Sequence, residues 1–299
     1  MIYEQLNKIL RLTQPKLKKY VARKLTAVYD SVIVGDGYVY AQGDFPVLLV
    51  AHMDTVHRDL PKRIVYCGDN VSSPQGIGGD DRCGVYAILQ LIKKHKCSVL
   101  FCEDEEIGCV GTGKFLKTEL AKSLVGTFNY IIELDRKGSK DAVFYDCDNP
   151  DFEDFITREF YDTSFGSMSD ISFLAPYLEC AAVNLSCGYY NQHTKAEYIV
   201  PSELDRAIIE CDKLLQRTDK SVKFEFIEAC NDSWYNDYYL DEWRNLTSPE
   251  TKTYYVYFID RHHKCYGEDI DAISFEEAVG KFLIMYPNTC YDDIDVALL

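Results

Sequence analysis

The chain has 299 residues and a net charge of -16. So acidic a balance argues against nucleic acid or an anionic membrane as partner, and no apolar run is long enough to span a bilayer or is flanked like a signal peptide. The twelve cysteines are scattered, without the paired spacing of a zinc ribbon or a small disulfide scaffold, which suggests reduced structural thiols in a cytoplasmic protein. From the N-terminus, Tyr3 to Leu12 and Pro15 to Leu25 carry apolar residues at three- and four-residue spacing and are predicted helices. Val32 to Tyr40 reads as a hairpin turned by Gly35-Asp36-Gly37. An apolar strand, Val47 to Ala51, ends in His52, and a short strand is expected at Arg63 to Tyr66. The loop Ser72 to Gly79 leads to Asp80, and Cys83 to Lys94 has a helical period.

The second half alternates in the same way. Strand 98–102 is followed by a helix near 111–121, strand 127–134 and a short strand at 142–146. Asn149-Pro150, with acids close behind, opens a helix. A short helix is expected near 169–176, then strand 181–186 and an amphipathic helix from Pro201 to Leu215. This alternation predicts an α/β fold with a mixed, mostly parallel central sheet flanked by helices. Residues 221–299 hold 16 acidic and 6 basic residues, a net of -10, which leaves -6 for the first 220. That shift marks a boundary. It predicts a first domain over 1–220 and an acidic, tyrosine-rich α+β appendage over 221–299. In the appendage 231–252 is the linker, Tyr254 to Asp260 and Ile294 to Leu298 are strands, and Ser274 to Met285 is a helix.

The residues able to bind a metal cluster where strands end. His52 and Asp54 follow the apolar run 47–51, Glu105 and Glu106 follow strand 98–102, and Asp135 follows strand 130–134. Asp80 lies between the first two, and His193 follows Asn184 to Gln192. An open α/β sheet binds its ligands at such strand ends. Two histidines and several carboxylates converging there suit a pair of divalent metals, with one carboxylate left to handle a proton. Taken singly, a histidine after a strand or an acidic turn is usually structural or solvated. The joint occurrence is what makes a metal-dependent hydrolase the better reading. His57, His95, His262 and His263 match no such position and are assigned no metal. The run Gly108 to Lys114 nearly fits a phosphate-binding loop, but Phe115 stands where Ser or Thr must bind Mg²⁺.

Six segments, in order, resemble the dizinc peptidases and deacylases, a superfamily that includes peptidase T and the lidless dizinc aminopeptidases. They are His52-Met53-Asp54-Thr55-Val56, Gly79-Asp80-Asp81-Arg82-Cys83-Gly84, Asp104-Glu105-Glu106-Ile107-Gly108, Glu133-Leu134-Asp135, Gly166-Ser167-Met168-Ser169-Asp170 and Tyr190-Asn191-Gln192-His193. The resemblance covers roughly residues 1–217. It implies a zinc-dependent exopeptidase-like fold and two divalent metal ions, expected to be Zn²⁺. One would be held by His52, Asp80 and Asp135, and the other by Asp80, Glu106 and His193, with Asp80 bridging. It further implies Glu105 as general base, Asp54 as the group that orients His52, and a cis Asp80–Asp81 peptide. Three carboxylates would offset most of the charge of two such ions.

Many members insert a dimerising lid domain before the last histidine. Residues 136–192 are already used by strands and helices, so no inserted lid is expected. The acidic C-terminal piece matches nothing in the family and is read as a packing appendage, a substitute lid or a docking module for a protein partner. The expected activity is cleavage of amide bonds in small peptides by an aminopeptidase or tripeptidase type of exopeptidase. Asp rather than Glu at position 135 resembles the peptidase branches. The alternatives are an N-acyl amino-acid deacylase, and a non-catalytic binding protein on the same fold.

Overall fold

The computed structural model describes residues 3–229, the strands 252–259, 265–272 and 294–298, and a few residues between 278 and 286. The chain divides into two compact units, one of residues 1–105 and 109–229, the other of 106–108 and 230–299. Of the expected linker at 231–252, residues 231–251 lie outside the described residues, and Lys252 already belongs to a strand. Among those described, no helix is long and apolar enough to cross a membrane.

Two helices open the first unit, α1 (Glu4–Leu10) and α2 (Gln14–Leu25). Pro15 stands in the first turn of α2, where its missing N–H costs nothing. Leu17, Tyr20, Val21 and Leu25 bury one face of that helix. The hairpin β1 (Val32–Gly35) and β2 (Tyr38–Ala41) pairs Gly35 with Tyr38 across Asp36-Gly37, and Gly37 takes the positive φ of 83° that this tight turn needs. There follow β3 (Phe45–His52), β4 (Val65–Cys67), β5 (Asn70–Ser72), α3 (Gly79–Leu91) and β6 (Cys97–Cys102).

Where one helix is expected near 111–121, the structure has two, α4 (Val110–Leu116) and α5 (Glu119–Ser123). The break is at Thr118, which is extended and caps α5 by accepting the Ala121 N–H at 3.1 Å. The rest of the unit is β7 (Tyr130–Arg136), β8 (Asp141–Val143), α6 (Pro150–Thr157), β9 (Asp162–Ser164), α7 (Asp170–Leu178), β10 (Ala182–Ser186), β11 (Tyr189–Tyr190), β12 (Tyr198–Ile199) and α8 (Pro201–Gln216).

Eight strands form the central sheet in the order β1-β2-β6-β3-β7-β10-β8-β9. The inner four, β6-β3-β7-β10, are parallel throughout. Antiparallel pairs sit outside them, at β1-β2, β2-β6 and β10-β8. This is the mixed, mostly parallel α/β sheet expected. Its inner strands are buried along nearly their whole length, as helices on both faces require. A second sheet, β11-β12-β5-β4, lies apart from the first.

Packing of the first unit continues past the acidity shift at 221. Phe224 donates its N–H to the Asn129 carbonyl and accepts from Ala181, at 2.9 and 2.8 Å. Its ring lies 5.2 Å from that of Phe152 and 5.3 Å from that of Phe155. Asp148 N–H and Ala229 N–H extend the attachment through Ile227 and Asp146.

The second unit has its own three-stranded sheet, β14 (Cys265–Ala272), β13 (Lys252–Ile259) and β15 (Ile294–Leu298), antiparallel with β13 central. Alternate residues of β13 face its core. Tyr254 and Val256 pack with Ile270, Ala272, Ala278 and Phe282. Of the helix expected at 274–285, Ala278, Lys281, Phe282 and Met285 are described and are helical.

Candidate active site

Each inner parallel strand ends at the same edge of the sheet. His52 is the last residue of β3 and pairs in register with Cys102, the last of β6. Asp135 is the penultimate residue of β7. Asp80 stands in the first turn of α3, in an extended conformation (φ -76°, ψ 110°) that interrupts the helix there, and the Asp80–Asp81 peptide is cis, as the resemblance implies. His193 follows β11 with a φ of 61°. A left-handed backbone at a non-glycine residue is uncommon and gathers at functional loops. Asp104, just before the glutamate pair, has the same conformation at 60°.

These elements bring the expected ligands together. Asp80 offers one carboxylate oxygen to each imidazole. Its Oδ1 is 3.1 Å from His52 Nε2, and its Oδ2 is 3.1 Å from His193 Nε2. Asp135 Oδ1 is 3.5 Å from His52 Nε2, and Glu105 Oε2 is 3.9 Å from the same nitrogen. Ligand atoms of His52, Asp80 and Glu106 lie within 4.8 Å of one another, as do those of His52, Asp81 and Asp135. His52 lies at the closed floor of this cluster, while the side chain of His193 is 28% exposed at its mouth.

The donor set suits divalent metal ions. Two imidazoles and several carboxylates, one of them turned to both imidazoles, form a nitrogen–oxygen set of the kind that holds such ions. The electrostatics agree. Burial pushes Asp135 up to about 7, with Asp80 adding to the rise and His52 opposing it. Burial also works against the charge on Asp80, but hydrogen bonds from His193 and His52 outweigh it and hold that carboxyl well below the usual range. For His52 burial disfavours charge, and the Asp135 and Asp54 carboxylates overcome this and raise it well above the ordinary imidazole value. Carboxylates this crowded gather positive charge, and divalent ions would supply it.

The carboxylate of Asp81 is occupied by the backbone. Its Oδ1 accepts the Gly84 N–H at 2.9 Å and its Oδ2 the His52 N–H at 3.2 Å. It therefore ties the start of α3 to the end of β3, beneath the ligands. Asp54 does two things. Its Oδ1 lies 3.1 Å from His52 Nδ1 and also accepts the Glu105 N–H at 3.1 Å, so one carboxylate orients a ligand and the neighbouring glutamate.

Other supports are not apparent from spacing alone. Asn184 lies within apolar β10 and grips residue 135 by its backbone. Its Oδ1 accepts the Asp135 N–H at 2.9 Å, and its Nδ2 donates to the Asp135 carbonyl at 3.1 Å. Tyr189 donates to Asp135 Oδ1 at 3.1 Å, and Ser169 donates to Asp135 Oδ2 at 3.2 Å. A polar residue in the middle of a buried strand was the available signal for Asn184. His57, which the sequence assigns no metal, lies 2.6 Å from a carboxylate oxygen of buried Glu197. His95 is paired at 2.6 Å with Asp212. His262 and His263 lie outside the described residues. Gly108 to Lys114 supplies the first turns of α4 directly after the acidic turn, with Cys109 left-handed before it.

No protein-family model matches the sequence, and no curated protein matches it. Solved structures do share its fold. Aminopeptidase PepT from Bacillus cereus superposes with a TM-score of 0.56 at 13% identity, over 71% of this chain and 96% of that one. An aminopeptidase from the archaeon Desulfurococcus kamchatkensis gives 0.56 at 14% identity, over 73% and 95%. PhTET1-12s, a dodecamer, gives 0.53 at 14% identity, over 72% and 98%. At such identities the likeness is one of fold alone, and it agrees with the fold that the ordered motifs imply.

Proposed function

We propose that the protein is a dimetal exopeptidase of the aminopeptidase or tripeptidase type, acting on small peptides. The observation that carries this reading is the carboxylate of Asp80, whose two oxygens face two different imidazoles at 3.1 Å, with Glu105 beside them. His52, Asp80 and Asp135 would hold one ion, and Asp80, Glu106 and His193 the other, with Zn²⁺ as the expected metal. When bound, such a pair lowers the pKa of water and polarises the carbonyl to be attacked.

The chain supplies the remaining chemistry. Asp54 holds the His52 ring through Nδ1 and so leaves Nε2 turned toward Asp80. Glu105 is placed by its own N–H on Asp54. Its carboxylate takes the proton of the attacking water and returns it to the nitrogen of the departing amine. Asn184, Tyr189 and Ser169 keep the Asp135 carboxylate from turning away. Eight of the described cysteines are buried as thiols, which supports a reducing, cytoplasmic setting for the reading.

The test is hydrolysis of free-amine dipeptides and tripeptides beside N-acyl amino acids, with metal content measured on the same samples. Cleavage of the free-amine peptides is expected. Preference for N-acyl amino acids would move the protein to the deacylases, and metal uptake without any turnover would leave a binding protein. Glu105→Gln keeps the shape of the side chain and removes the base. It is expected to retain both metals and lose at least about a hundredfold in kcat. Near-normal turnover in that variant would remove Glu105 from the mechanism.

A further inference from the structure

The segment that delivers Asp80 is unusual for a ligand-bearing loop, because Gly76, Gly78 and Gly79 precede it. Gly76 and Gly78 have φ of 90° and 67°. Three of the four residues before Asp80 thus have no side chain with which to anchor the backbone. The anchor comes from elsewhere. Glu197 is fully buried and lies four residues past His193, just before β12. Its Oε1 accepts the Asp80 N–H at 3.0 Å, and its Oε2 accepts the Gly78 N–H at 2.8 Å. His57 Nε2 lies 2.6 Å from Oε2 and completes the set.

The fit leaves little slack. A Cβ on Gly79 would lie 2.8 Å from Tyr189 Cβ and 3.3 Å from Glu197 Oε1, and one on Gly76 would lie 2.2 Å from His57 Cε1. The chemistry also favours a carboxylate. Two N–H groups from residues 78 and 80 converge on one side chain, and only a carboxylate offers an acceptor atom to each while a third donor approaches.

We propose that Glu197 is the positioning residue of the bridging carboxylate: from the loop that carries His193 it fixes the loop that carries Asp80, and His57 holds Glu197 in place. This rests on the dimetal reading above. One buried side chain then sets the separation of two ligands that share the second ion. Groups that orient metal ligands typically contribute about 10- to 100-fold to metal affinity.

The experiment uses the full-length protein, stripped of metal and titrated with Co²⁺, whose visible spectrum reports each equivalent. Amide hydrogen exchange is followed on the metal-free samples. Glu197→Gln and His57→Ala are expected to bind the second equivalent at least about tenfold more weakly than the wild type. Exchange should quicken at the amides of Gly78 and Asp80 and stay unchanged in β3 and β7. His57→Gln, which keeps an N–H donor toward Glu197, should recover most of the affinity lost in His57→Ala.

Wild-type affinity for both equivalents in Glu197→Gln and His57→Ala would overturn the proposal. Protection lost uniformly across β3 and β7 would also overturn it, since Glu197 would then be a general core residue. If the wild type itself takes up no pair of ions, the dimetal reading fails. The exchange at Gly78 and Asp80 still shows, in that case, whether Glu197 holds the loop.

Discussion

Arg82 directly follows the paired aspartates, and it is fully buried. Its Nη1 donates to the carbonyls of Ile9 and Leu12, at 2.9 and 2.5 Å, and so closes the C-terminal end of α1. Burial lowers its pKa to about 10, against the pull of Asp54 and Glu197, so it is still a cation at neutral pH. Arg82→Met would leave those carbonyls without their donor and is expected to cost about 2–4 kcal/mol in denaturant unfolding. Asp212 allows a test by pH. Burial opposes its charge, but hydrogen bonds from Lys94 and His95 outweigh this and lower its pKa in the folded state. A depressed carboxyl pKa gives stability that is present above the unfolded value and is lost as the pH falls through the folded one. Asp212→Asn should therefore cost about 1 kcal/mol at pH 7. The gap from wild type should close below about pH 4, followed by urea midpoints across that range.

At the level of elements, α2 acts on the acidic turn from a distance in sequence. Lys18 pairs with Glu103 and donates to the Gly35 carbonyl at 2.8 Å, and Gln14 donates to Asp104 Oδ1 at 2.8 Å. One helix face thus holds the turn from which Glu105 and Glu106 project. Lys18→Met should lower kcat several-fold with KM little changed and both metals retained, which steady-state kinetics on a good peptide substrate would show. What the sequence revealed of these elements follows their length. The inner strands and α2, α3 and α8 carry enough apolar residues at a fixed period to be read. β5, β9 and β12 have two or three residues each, too few for any period, and they exist because a neighbouring edge pairs with them. The α4–α5 break depended on a single threonine cap. The candidate ligands were legible because each follows a strand and stands in a recognisable short motif. Glu197, Asn184 and Tyr189 were not, since the site residues they hold lie 49 or more residues away in the chain and only the folded sheet brings them near.

For the whole molecule, composition changes at 221 but packing does so only after Ala229. Phe224 sits among Tyr130, Phe152 and Phe155. A chain ending at Ala229 is expected to unfold in one cooperative transition. A chain ending at Lys220 should be less stable by about 2–4 kcal/mol, the usual cost of losing a packed phenylalanine. Equal midpoints for the two truncations would place the edge of the first unit at 220 instead. The order in which the candidate ligands occur also bears on how the protein is made. His52, Asp80, Glu106 and Asp135 are all synthesised before His193, and Glu197 comes later still. At roughly 5–20 residues per second, the about 140 residues between the two histidines take roughly 7–28 s to translate. Each of the carboxylates is made within that interval, before the last imidazole and before the clamp on the glycine loop. On the dimetal reading, the complete set of ligands and its Glu197 support therefore exists only once the first unit is nearly finished.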